Sequence, residues 1–137
     1  MPATSKPRKK YRRGRVNVPM TAPAHRRLAL ELHLAVEALV LAPSPETYNT
    51  LTKMLAALAT AGLACEALDI ANNTMDAIVS RFERVGKVGL KDEESTALRR
   101  AVASLDGRMV RLPVNKLAEA VAQIEVYFAA AGVAGAA

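Results

Sequence analysis

The sequence predicts an all-α protein, a compact bundle of four to five helices with an extended basic N-terminal arm. Three observations predict it. Hydrophobic residues make up 51% of the chain but aromatic ones only 4%, with no Trp, so the core must be Ala, Leu and Val, residues suited to closely packed helices. Apolar side chains recur at steps of three and four from Leu28 onward, the period of a helix face. Before that point, Pro2, Pro7 and Pro19 with Gly14 among them deny the chain a continuous helix. At 137 residues the chain fits a single domain that can bury a core without disulfides or metals. The expected organisation is an arm over 1–22, a helical domain over 23–131 and a loose tail over 132–137.

The first helix is expected over about 24–42. Pro23 suits a first turn, Leu28, Leu32, Ala35, Val36 and Leu39 form one apolar face, and Pro43-Ser44-Pro45 stops the run. Leu30, Leu34 and Leu41 add a second stripe, leaving only the side of Glu31 and Glu37 for water. This predicts a central helix or one in a subunit interface. After Ser44, the positions Tyr48, Leu51, Leu55, Leu58, Gly62 and Cys65 alternate by three and four, and Leu68, Ala71, Met75, Ile78, Phe82 and Val85 resume the rhythm. The phase slips near Gly62, so either one long helix bends there or two helices meet in a turn between 61 and 66; the break is favoured.

Gly86 and Gly89 close that segment, and Asp92, Glu93 and Glu94 open the next helix with carboxylates at the positive end of its dipole. Its buried stripe is Leu98, Val102, Leu105 and Met109, with a frayed end expected at Asp106-Gly107. Leu112-Pro113 marks a turn, and Val114, Leu117, Val121, Ile124 and Phe128 carry a last helix to Gly132. The alternation from Arg108 to Leu112 could suit a short strand, but a lone strand has nothing to pair with.

Charge is distributed unevenly. The net charge is +6, yet residues 1–27 hold nine Lys or Arg and no acid, leaving ten basic against thirteen acidic side chains over the other 110. Lys6, Arg8, Lys9, Lys10, Arg12, Arg13 and Arg15 crowd into ten positions around Tyr11, and Arg26 and Arg27 follow. Such cations neutralise phosphates and release counterions, and a ring among them can stack on an unpaired base. These ten residues, Tyr11 included, are the expected nucleic-acid contacts. A solubilising tail, an acidic protein or a membrane surface are the other partners open to such an arm. Arg99, Arg100, Arg108 and Arg111 offer a second basic surface, or ordinary pairs with Glu93, Glu94 and Asp106.

Other chemistry is thinly represented. His33 and Glu37 stand four apart, a spacing that can present two metal ligands, but no third ligand follows at helical spacing, so neither a metal nor another cofactor is expected. Asp69, Asn72, Asn73 and Asp76 form a polar ridge that suits solvent. Cys65 has no adjacent base and reads as a small apolar residue. No Gly-rich phosphate loop or nucleophile elbow occurs, which points away from an enzyme. The longest apolar run, Met54 to Cys65, is 12 residues, short of a membrane span. No apolar segment follows the N-terminal charges as in a secretory signal, so a cytoplasmic protein is expected.

The pieces Lys9-Lys10-Tyr11-Arg12, Val16, Lys53 to Ala61, Thr74-Met75-Asp76-Ala77, Glu94-Ser95-Thr96-Ala97-Leu98 and Lys116-Leu117-Ala118-Glu119-Ala120 resemble a group of small uncharacterised proteins of proteobacterial phages and prophages. The chain departs from that group in its higher Ala content and in lacking the particular His and Asp residues that the group carries in its penultimate helix. The resemblance implies a phage accessory protein and carries no catalytic residues. Three roles follow as expectations. The first is a binding module that grips nucleic acid or a nucleoprotein through the arm while the body supplies homodimer contacts or a docking surface. The second is an inhibitor directed at a host protein such as a nuclease or defence complex, and the third a phage assembly protein.

Overall fold

A computed structural model describes residues 16–136, with side chains through Ala131, and every regular element in that span is a helix. The five helices are α1 (Ala22–Leu41), α2 (Pro45–Thr60), α3 (Glu66–Val85), α4 (Asp92–Met109) and α5 (Val114–Ala136). Their starts follow from local chemistry. Thr21 Oγ1 accepts the Ala24 N–H at 3.2 Å ahead of α1, satisfying one of the orphan donors of a first turn. At α2 the capping is reciprocal: the Thr47 N–H donates to Ser44 Oγ at 3.1 Å and the Ser44 N–H to Thr47 Oγ1 at 3.0 Å. Cys65 occupies the same position before α3 with no side-chain cap bond, while the Lys91 N–H ahead of α4 donates to Glu94 Oε1 at 2.8 Å.

The phase slip near Gly62 is a true break. Gly62 sits at φ +111°, a conformation that costs a residue with a Cβ, and the Leu63 N–H turns back to the Leu58 carbonyl at 3.0 Å. Gly86, at φ +84°, ends α3 in the same manner, its N–H on the Phe82 carbonyl at 2.7 Å.

The first four helices close a ring: α1 and α3 each lie against both α2 and α4, and the core fills the middle. Leu32 and Leu39 of α1 meet Leu51, Leu55 and Leu58 of α2, Ile78 of α3, and Leu98, Leu105 and Met109 of α4, all essentially without solvent contact. Burying each contributes on the order of 2 kcal/mol, and cutting one to Ala costs about 3 kcal/mol once the cavity is included. The fifth helix packs chiefly against α2, outside the ring, through Leu117, Ala120 and Ile124. Lys53 ties the two together, with Nζ 3.0 Å from Glu125 and 5.5 Å from the Phe128 ring centre.

Several expectations are corrected. α1 is not central: its second apolar stripe faces outward, with Leu30 59%, Leu34 57% and Leu41 78% exposed. α4 runs through Asp106-Gly107 to Met109, because Leu105 and Met109 on either side are fully buried and hold that turn in register. Arg108 to Leu112 forms the end of this helix and a turn, in keeping with the expectation that a lone strand has nothing to pair with. α5 does not stop at Gly132 but continues to Ala136, and Ala120 is buried on it while Val121 is 46% exposed. Among the described residues no helix is long and apolar enough to cross a membrane.

Candidate functional site

Lys6, Arg8, Lys9, Lys10, Tyr11, Arg12, Arg13 and Arg15 lie outside the described residues, so the site is built from where the arm joins the body. That root is held by Asn115, at the second position of α5. Its side-chain carbonyl accepts the Val18 N–H at 2.8 Å, and its side-chain amide donates to the Val16 carbonyl at 2.7 Å. One amide thus bonds a donor and an acceptor of residues 16 and 18, as a neighbouring strand would. The Val114 N–H, an orphan donor at the start of α5, donates to the Val18 carbonyl at 2.7 Å. Met20 then packs on the core. Residues 16–20, expected within the arm, are non-helical but fastened to the body.

The same end of the molecule gathers exposed cations. His25 Nε2 lies 2.6 Å from the Asp106 carbonyl, which sets the start of α1 against the end of α4. The arm root, the start of α5 and the α4–α5 turn are therefore neighbours of the start of α1. Arg26 and Arg27 on α1, Arg108 and Arg111 at the end of α4, and Lys116 on α5 are all exposed. Asp106 is the carboxylate nearest this turn in the chain, and one of its oxygens is 2.9 Å from His33 Nε2. Among the described residues Arg26, Arg108, Arg111 and Lys116 form no ion pair; Arg27 meets Glu31 only at 3.9 Å.

The late arginines divide by role. Arg99 does not pair with the helix-start acids but grips Glu37 across the α1–α4 seam, through Nε at 2.8 Å and Nη2 at 2.9 Å. That fork holds the Glu37 carboxyl below the ordinary carboxylate range, the hydrogen bond from Arg99 being the main cause, and raises the Arg99 guanidinium in turn. Glu94, expected to favour the dipole of its helix or to pair with the late arginines as an ordinary surface charge, is buried. It accepts a very short bond from Arg81 as well as the Lys91 N–H, while Arg81 Nη1 donates to the Gly89 carbonyl at 2.8 Å. This knot locks the loop between α3 and α4.

His33 and Glu37 turn to different partners on α4, Asp106 and Arg99, so the candidate pair of ligands is taken apart by packing. Among the described residues no three His, Cys, Asp or Glu side chains converge to hold a metal. The ridge of Asp69, Asn72, Asn73 and Asp76 faces solvent, and Cys65 packs against the core. Tyr48 donates its hydroxyl to the Met75 carbonyl at 3.1 Å, and burial pushes its pKa up. Neither the Asn115 clasp nor the Arg81–Glu94 knot has a motif in the sequence that announces it. No family model, curated protein or solved structure matches the chain.

Proposed function

We propose that this is a non-enzymatic helical protein that binds nucleic acid, alone or within a nucleoprotein, by wrapping the cationic segment Lys6–Arg15 along phosphates. The exposed cations around the arm root extend that grip onto the body. The observation that carries the proposal is the charge density of the segment: seven cations in ten positions with no acid before Glu31. Full engagement of those seven on duplex DNA releases counterions with a salt slope of about −6, so affinity falls about 4 × 10³-fold between 50 and 200 mM salt. Tyr11 adds stacking on an unpaired base, about 1 to 3 kcal/mol. The phage setting suggested by the sequence motifs suits such an accessory role.

The test is a salt-titrated binding assay on duplex and single strands. It compares the full chain with a variant carrying Gln at Lys6, Arg8, Lys9, Lys10, Arg12, Arg13 and Arg15. Neutralisation is preferable to truncation at Thr21, which also removes the Asn115 clasp and Met20. Tight binding by the native chain and loss in the variant supports the proposal. Absence of binding by both at moderate salt overturns it and favours an acidic protein target.

A further inference from the structure

We infer that the outward face of α1 is a homodimer interface, in which two copies of the helix pair antiparallel about Leu34. On this helix Leu30, Leu34 and Leu41 point away from α2 and α4, each more than half exposed. They fall within a narrow arc because steps of four, seven and eleven residues return to nearly the same side of a 3.6-residue helix. Arg27 and Ala38, both exposed, complete the stripe. Its spacing is symmetric: Leu30 and Ala38 each lie four residues from Leu34, and Arg27 and Leu41 each lie seven. A two-fold axis at Leu34 therefore sets Leu34 on its own copy, the large Leu30 against the small Ala38, and Arg27 across Leu41. A self-complementary patch of this kind is what a two-fold dimer requires.

Charge selects the antiparallel sense. α1 has no acid in its first turn and no base in its last, so neither end of its dipole is opposed by its own side chains. Arg26 and Arg27 lie instead near the positive end. An antiparallel copy carries these arginines to the carbonyl end of the partner helix, where cations are favourable; a parallel copy brings four arginines together at one end. The basic arm is a poor alternative occupant, since Lys6–Arg15 offers no Leu, Ile, Val or Met for a leucine stripe. A face of three helical turns is small beside the ~800 Å² per partner of a standard interface, so the dissociation constant is expected in the micromolar range.

The test is sedimentation of the full chain from about 1 to 200 μM, at 0.15 M and at 1 M salt, alongside Leu34→Glu and Leu30→Gln. The native chain is expected to pass from monomer to dimer in both salts, because the contact is mainly apolar. The variants should stay monomeric with unchanged helicity, since both positions are exposed. Cysteine pairing fixes the geometry: Leu34→Cys should cross-link to itself under mild oxidation far faster than the native chain. Arg27→Cys should cross-link with Leu41→Cys in a mixture and not with itself. A native chain that is monomeric throughout, a dimer that survives Leu34→Glu, or Arg27→Cys cross-linking to itself would each overturn the inference.

Discussion

In the helical body most of the polar seams match a cation with an anion: Arg81 meets Glu94, Arg99 meets Glu37 and Lys53 meets Glu125. The first 27 residues carry nine Lys or Arg with no acid at all. Under the proposed function the two regions put charge to different uses. Within the body, charge fixes how helices meet, since each pair spans two elements. The first 27 residues supply no acid to pair with, and we propose an external polyanion as the partner of their cations and of Arg108, Arg111 and Lys116 beside the root. The difference predicts that substitutions in the paired seams of the body change stability and leave binding alone, while substitutions of the arm and root cations do the reverse.

The largest separation is expected at Glu94. Glu94→Ala strands the mostly buried Arg81 and frees the Lys91 N–H, at a cost of about 3 kcal/mol, read as a lower midpoint in chemical denaturation. The salt slope for nucleic acid should not move; a change in slope without loss of stability would break the comparison. Next come the cations at the root. Arg108→Gln with Arg111→Gln should reduce the magnitude of the slope by roughly 2, close to one per lost phosphate contact, with the denaturation midpoint unchanged.

Asn115→Ala sharpens the boundary between the regions. It removes two hydrogen bonds that hold the arm root and should cost about 1 kcal/mol of stability, the remainder being recovered from water. All cations remain, so the salt slope should be unchanged, and faster amide exchange at Val18 reports the release. The smallest effect belongs to Glu37. Its pKa is lowered in the folded state, so its contribution to stability is present above the ordinary carboxylate pKa and is lost as pH falls through the folded value. Arg99→Gln should remove that component of acid sensitivity, and 1 M salt should weaken it in the native chain because the pair is exposed.

The fold class and the positions of all five helices were legible because apolar periodicity and Pro and Gly punctuation are local signals. The stripe from Leu98 to Met109 followed from spacing alone, and spacing located the phase slip near Gly62 without deciding between a bend and a break. Whether a second stripe is covered was not legible: Leu30, Leu34 and Leu41 look like core residues until α2 and α4 are seen to occupy only the other side of α1. Partner choice was equally hidden, because Glu37 reaches Arg99 across 62 positions and Asn115 reaches Val18 across 97, distances at which no local pattern operates. The free cations of the site were visible as composition. Their gathering at the α1, α4 and α5 junction required the His25 to Asp106 and Val18 to Val114 contacts.

The most direct measurement is the dependence of the nucleic-acid association constant on salt, taken in parallel for the native chain and the chain with its seven arm cations changed to Gln. A slope near −8, the seven arm contacts with two at the root, that shrinks to about −2, with both proteins unfolding at the same denaturant concentration, is the expected result. Equal slopes for the two proteins would contradict the assignment of binding to the arm.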